Sequence, residues 1–321
     1  MFAVYAQVPN AESPLDSLVV GERPEPSVED GWVRVHVKAA SLNMHDLWTL
    51  RGVGIKPDQF PMILGCDGAG TLDDGSEVVI HSVINAPGWQ GDDTLDPKRT
   101  LLTEKYQGTF ADQVVVPARN VVPKPAGLSF AEAATMGTAW LTAYRMLFVK
   151  SGLRPGQTML VQGASGGVST ALVQLGKAAG FRVWVTGRTE AKRALAVELG
   201  AHQAFESGAR LPERVDAVFE TVGKATWSHS VKSLKPGGII VVSGSTSGPD
   251  AHAELQRVFF LQLRVAGSTM GTRDELADLL SYLELTGVRP QIGSELPFGE
   301  AAKGFQAMLD GDTAGKIVFT R

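Results

Sequence analysis

The chain has 321 residues, 44% of them hydrophobic and 20% charged, with a net charge of −4. That length predicts two domains, each able to bury a sizeable core, and the mild negative charge excludes an electrostatic case for nucleic acid or membrane partners. Cys66 is the only cysteine, so an intramolecular disulfide framework is excluded and a reducing, cytoplasmic setting is expected. No secretory leader is expected, because MFAVYAQVPN has no basic segment running into an apolar one.

The first third of the chain predicts β structure. FAVYAQ, WVRVHVKAASL, SEVVIHSV and FADQVVVPARNVVP are short apolar or alternating runs broken by Gly, Pro and Asp, the pattern of a barrel-like or sandwich-like unit. Between them, residues 85–106 are polar and turn-rich, and predict a long surface loop. After Pro123 the character changes. LSFAEAATMGTAWLTAYRMLFVKSG carries apolar residues at helical spacing, with Ser129 as N-cap and Glu132 three residues on.

From Gly156 strands and helices alternate. TMLVQG reads as a buried strand, GGVSTALVQLGKAAG as a helix, RVWVTG as the next strand and EAKRALAVELGA as the next helix. VDAVFETVG, KPGGIIVVSG and LRVAGSTM supply further strands. Such alternation predicts an α/β fold with a doubly wound parallel sheet. RDELADLLSYLELTG and GEAAKGFQAMLDG read as helices, and GKIVFTR as a closing strand.

The junction LVQGASGGVSTALVQL is the most informative segment. A strand ends at Gly163, the loop runs through Ala164, Ser165, Gly166 and Gly167, and a helix opens at Val168. Backbone amides at a helix N-terminus, aided by the helix dipole, make a pyrophosphate site. Glycines let the chain turn tightly and let phosphates approach closely. The end of the next strand bears on which dinucleotide binds. An NAD site carries an acid about 20 residues past the loop; here the sequence is Gly187-Arg188-Thr189, with Lys192 in the first helical turn. Two cations oppose the helix dipole there unless they meet a 2′-phosphate, which Thr189 would also hydrogen-bond. NADPH is the expected cofactor.

Taken together, VKAASLNMHDLWTLRG, ILGCDGAG, GTFADQVVVPARNVVPKP, TAWLTAY, VQGASGGVSTALVQLGKAAG, VDAVFETVG, LKPGGIIVVSG and GKIVF resemble, in order and spacing, the medium-chain dehydrogenase/reductases, in their zinc-free quinone-oxidoreductase branch. The resemblance implies a β-rich GroES-like catalytic domain over residues 1–124 and 272–321, a Rossmann domain over 125–271, and an active site in the cleft between them. It further implies a homodimer, with LRVAGSTM as an edge strand that pairs with its symmetry mate.

Zinc-dependent members hold their metal at positions that match Asn43, Cys66-Asp67 and, approximately, Thr138. Only Cys66 and Asp67 among these could ligate zinc, with His45 as an outside candidate, and the structural-zinc lobe has no cysteines here. No metal is expected. The resemblance then places Asn43 near nicotinamide and substrate, and puts Trp48 where relatives carry a tyrosine proton donor. His45 stands where zinc-dependent relatives relay a proton, and is a candidate general acid near neutral pH; a histidine that merely closes a helix start is the alternative. Thr138, Thr221, Val222, Ser243, Gly244, Met270, Gly271 and Lys316 are the further expected cofactor contacts, several of them beyond the carboxyl ends of strands; for Lys316 a simple surface lysine is the equal alternative. The expected activity is hydride transfer to a quinone or α,β-unsaturated carbonyl. The rival readings are a zinc-dependent alcohol dehydrogenase with irregular ligands and a non-catalytic NADPH-binding protein.

Overall fold

A computed structural model describes residues 1–321. The chain divides into two compact units, one made of Met1–Leu141 with Met270–Arg321, the other of Thr142–Thr269.

In the first unit the ten-residue strand Trp32–Ser41 organises the main sheet. It pairs antiparallel with Gln113–Pro117 along its first half, and with Asp67–Thr71 and Lys316–Thr320 along its second. Glu77–Ile80 and Val121–Pro123 extend the sheet on one side, and Ile292–Pro297 beside Lys316–Thr320 on the other. A shift in register between Val37 and Ala39, the signature of a bulge, lets one strand serve different partners at its two ends. Both chain ends enter one core: Phe298, Phe305, Ile317 and Phe319 pack with Val4, Val35, Leu47 and Phe110. Phe110 meets Phe305 and Phe319 edge-to-face, with ring centroids 6.2 and 5.1 Å apart.

The second unit holds six strands, in the spatial order Gln203–Glu206, Arg182–Gly187, Thr158–Gln162, Val215–Glu220, Leu234–Val242 and Arg264–Gly267. All neighbours are parallel. The order reverses at Thr158–Gln162, as in a dinucleotide-binding sheet. The Thr158–Gln162 strand is buried at every position, which is why it reads as an unbroken apolar run rather than an alternating one. The outer strand Gln203–Glu206 was not legible, being short and half polar.

The structure departs from expectation at four points. The boundary near 124 falls instead at Leu141: the turn Phe130–Ala133, closed by the reciprocal Ser129–Glu132 cap, packs on strands Trp32–Ser41 and Asp67–Thr71 of the first unit. The second crossing lies at Thr269 rather than 271. The helical run after Ala133 widens into π-type turns at Met136–Trp140 and Arg145–Lys150. Finally, the segment 85–106 is not a plain surface loop. Asp93 and Thr94 are buried, and Asp93 accepts from the Arg119 guanidinium and the Arg273 amide, at 2.9 and 2.8 Å.

Candidate active site

The strand register of the first unit assembles a buried polar cluster. Ser41 faces Asp67 on one side and Val318 on the other, so the end of Trp32–Ser41 meets the start of Asp67–Thr71 and the start of Lys316–Thr320. Immediately after Ser41 the chain turns into the helix Met44–Leu50, with Asn43 as its cap. The Asn43 amide Nδ2 donates to Asp67 Oδ2 at 2.8 Å and to Ser41 O at 3.2 Å. Its Oδ1 accepts from Lys316 Nζ at 2.6 Å, and its backbone N–H donates to Asp46 Oδ2 at 2.8 Å. The Asp46 carboxylate also accepts from Gly65 N, at 2.8 Å.

Lys316 is 3% exposed and Asp67 fully buried. The Lys316 ammonium has three hydrogens, and its three acceptors are Leu42 O at 2.8 Å, Asn43 Oδ1, and Asp67 Oδ2 at 3.4 Å. All three hydrogens are thus committed within the protein. Both Nδ2 hydrogens of Asn43 are likewise committed within the protein. Burial pushes the Asp46 carboxyl up to about 7, against the backbone hydrogen bonds from Asn43 and Gly65. Burial likewise lowers the Lys316 ammonium, and the nearby Asp67 and Asp46 charges oppose that.

His45 is the second residue of this helix, in its first turn. Burial lowers its pKa; the Glu104 and Asp67 charges and a hydrogen bond with the Leu102 backbone act the other way. Its Nε2 is buried and has no hydrogen-bond partner. The expected general acid is thus a mostly neutral imidazole at neutral pH, whose proton donation would strengthen as the pH falls. Thr138 Oγ1 and Asp67 Oδ1 are the other unpartnered buried polar atoms here, and a Cβ on Gly137, next to Thr138, would sit 3.0 Å from Asp67 Oδ1. Buried polar groups are rarely left unpaired; other unpartnered atoms of this unit, such as those of Arg23, Arg34 and Gln113, belong to other segments, whereas His45 and Asp67 interact electrostatically and Thr138 adjoins Gly137 beside Asp67.

Zinc does not fit these donors. Burial raises the Cys66 thiol well above its usual value, with the Asp46 and Asp67 charges adding to the effect. The thiol donates to Leu102 O at 3.3 Å. A cysteine ligates a metal as the thiolate, and the neighbouring Asp67 carboxylate already accepts from the Lys316 ammonium. No group of three His, Cys, Asp or Glu side chains is arranged to hold a metal ion.

The second unit presents the cofactor loop. Gly163 has φ +93°, a conformation that favours glycine. Gly166 caps the helix Gly167–Ala178 with no side-chain hydrogen bond, so the first-turn amides face the loop without an internal acceptor. An added Cβ on Gly166 would meet nothing nearer than Ser169 Oγ at 4.0 Å. This open, donor-lined cradle fits a pyrophosphate. Ala164 and Ser165 are buried beneath it, whereas Gly166, Gly167 and Val168 reach the surface. At the next strand end Gly187 is buried, and Arg188 is exposed with no hydrogen bond or ion pair. Thr189 caps the helix Glu190–Glu198 by accepting from Lys192 N, which leaves its hydroxyl hydrogen free to donate. Arg193 turns back to donate to Gly187 O at 2.9 Å, a contact that sequence spacing did not suggest.

Thr221 and Val222 follow Val215–Glu220, and Ser243 and Gly244 follow Leu234–Val242. Their loops are tied together: Ser243 N donates to Glu220 O at 2.9 Å, and a Cβ on Gly244 would press Thr221 O at 3.1 Å. Glu220 was missed by sequence reasoning. Its buried carboxylate accepts from Val222 N, Gly223 N, Thr226 Oγ1 and Ser230 Oγ, fixing the turn that holds Thr221 and Val222. Met270 (φ +48°) and Gly271 sit where the chain re-enters the first unit. There Gly271 O meets His81 Nε2 at 2.9 Å, and a Cβ on Gly271 would collide with Leu141, so packing alone accounts for that glycine.

With this geometry in hand, known proteins give a consistent comparison. Residues 29–126 match the alcohol dehydrogenase GroES-like domain, and residues 167–284 match the zinc-binding dehydrogenase family. A solved structure described as an NAD-dependent alcohol dehydrogenase superposes with a TM-score of 0.93 at 33% identity, over 100% of both chains. The chain belongs to the medium-chain dehydrogenase/reductase family and is quinone oxidoreductase-like. A quinone oxidoreductase of Lama guanicoe is 26% identical over 91% of this chain and 90% of its own. The acryloyl-coenzyme A reductase of Metallosphaera sedula is 27% identical over 94% and 96%. As a medium-chain dehydrogenase/reductase the chain is an oxidoreductase of nicotinamide-cofactor type. No helix is long and apolar enough to cross a membrane.

Proposed function

We propose that the protein is an NADPH-dependent, metal-independent reductase of quinones or α,β-unsaturated carbonyl compounds. The single observation that carries this reading is the buried Lys316 ammonium between Asn43 and Asp67, in a cluster where no three His, Cys, Asp or Glu side chains are grouped to hold a metal ion. Such a cluster does not suit a zinc ion, so polarisation of the acceptor falls to hydrogen-bond donors. Relatives named quinone oxidoreductase and acryloyl-coenzyme A reductase support the substrate class.

Bound NADPH supplies a hydride. On this chain, Gly163, Ala164, Ser165, Gly166, Gly167 and Val168 would hold its pyrophosphate, and Arg188, Thr189 and Lys192 its 2′-phosphate. Thr138, Thr221, Val222, Ser243 and Gly244 would complete the cofactor's surroundings. His45 would meet the developing oxygen through Nε2 and give it a proton from the imidazolium form, since the single N–H of the neutral ring is the one that bonds the Leu102 backbone. Asn43 shapes the site as the clamped helix cap rather than by donating to substrate.

The test is NADPH consumption across a panel of benzoquinones, enones, enoyl thioesters and saturated aldehydes. Turnover of the electron-poor alkenes or quinones is expected; turnover confined to saturated aldehydes would overturn the substrate class. A second reading, an NADH-using dehydrogenase, is favoured by likeness to the NAD-dependent alcohol dehydrogenase structure. The unpaired Arg188, with no acid at Gly187, argues against it.

A homodimer formed through the edge strand Arg264–Gly267 is part of the proposal. Val265 is 52% exposed on that edge, and Leu255, Phe259 and Phe260 on the preceding helix are exposed as well. An uncovered apolar edge favours pairing. Val265→Glu should leave stability within about 0.5 kcal/mol and shift light scattering from dimer to monomer; a wild type already monomeric at micromolar concentration would contradict the assembly.

A further inference from the structure

We infer that Lys316 is a positioning residue of the candidate active site: its ammonium clamps the Asn43 amide and the Asp67 carboxylate, and so fixes the start of the helix that carries His45. The inference deepens the functional reading above and rests on it for the role of His45.

The geometry leaves Asn43 no freedom. Its backbone N–H is held by Asp46, its backbone O accepts from Asp46 N at 3.1 Å, its Nδ2 is held by Asp67 and Ser41 O, and its Oδ1 by Lys316. Of these, only the Lys316 bond ties the helix start to a strand from the far end of the chain, 273 positions away. Lys316 also reaches Leu42 O, so it grips both residues between the strand Trp32–Ser41 and the helix Met44–Leu50. A leucine or methionine would fill the same volume without desolvating a charge, and buried charge is expensive unless it is paired and hydrogen-bonded. An ammonium with every hydrogen committed to this turn is explained by what it holds. The groups that face it are Asp67, Asp46 and Cys66. Because the two carboxylates outnumber the one cation, Lys316 is also the charge that lets them share a dry interior.

Lys316→Met alone strands a buried carboxylate and is expected to fold poorly, so the decisive variant is the double substitution Lys316→Met/Asp67→Asn, which removes both charges together. Two measurements are made on it, the kinetic constants with NADPH and hydrogen–deuterium exchange of peptides covering 43–50. We expect the NADPH Michaelis constant to be unchanged, kcat to fall on the order of 100-fold through misplacement of the helix start, and exchange over 43–50 to rise by at least about tenfold. A residue that matters only for folding would leave kcat intact once the double variant is folded. Unchanged exchange over 43–50 would overturn the inference whatever the rates do, and so would wild-type kcat with raised exchange. If the wild type turns over nothing in the panel, it is the functional reading that fails; the exchange measurement still decides what Lys316 holds.

Discussion

The two candidate sites on this chain are built in opposite ways. The cofactor loop of the second unit is contiguous, open and uncharged, its work done by backbone amides between Gly163 and Val168. The cluster of the first unit is closed, charged and assembled from segments as distant as Ser41, Asp67 and Lys316. A loop of the first kind tolerates change in its side chains as long as the glycine conformations survive. In the second kind each polar group is the partner of another, and removing one leaves the rest buried without compensation. Substitutions should therefore hurt stability in the first unit and cofactor affinity in the second.

The sharpest way to break that contrast is Asp67→Ala. It strips Lys316, Asn43 and Ser41 of a shared acceptor and leaves an unpaired ammonium in the interior. Loss of one member of a buried pair costs roughly 3–5 kcal/mol, so chemical denaturation should show a fall of that size. A loss below about 1 kcal/mol, the surface-pair range, would mean that water reaches the cluster.

Arg188→Ala probes the other region. Exposed and unpaired, it should contribute nothing to stability but raise the NADPH Michaelis constant at least about tenfold, since a charge-assisted bond is worth roughly 1.5–3 kcal/mol. The NADH constant should stay nearly unchanged, and equal losses with both cofactors would remove Arg188 from the 2′-phosphate site. Placing an acid at Gly187 is a poorer test than the sequence suggests, because any Cβ there lies 3.0 Å from both Ala164 Cβ and Arg193 Cγ.

The smallest effect is a pH dependence. The Asp46 carboxyl, raised by burial from 3.8 to about 7, holds its proton more tightly in the folded state than in the unfolded one. Its contribution to stability is complete below the unfolded value and is lost as pH rises through about 7. The melting temperature of the wild type should decline across that interval, and Asp46→Asn, though less stable overall, should lack that component of the slope. An identical slope in both proteins would assign the titration elsewhere.

How much of this was legible from sequence follows the same division. Strand, glycine loop, helix and the Arg188-Thr189 pair are consecutive, so local pattern sufficed to place them. The parallel sheet followed from alternation alone. The burial of Lys316 was not legible, because a lysine opening a strand is ordinarily solvated; only the pairing of Lys316–Thr320 with Trp32–Ser41 turns it inward. Glu220 and Gln162 were silent for a similar reason. Gln162 ends a strand that reads as apolar, yet it accepts from Thr186 Oγ1 and donates to Ser230 Oγ, at 2.6 and 3.0 Å. The boundary at Leu141 was missed because it falls inside a continuous apolar helical run, where composition does not change.

The central claim is the proposed one that the candidate site is organised around a buried ammonium and works without a metal ion. Turnover of NADPH with a quinone or enone, measured after exhaustive dialysis against a strong chelator and again after zinc is restored, tests it most directly. The account predicts full activity in the dialysed protein and no gain on adding zinc. Activity lost on dialysis and recovered with one equivalent of zinc would contradict it.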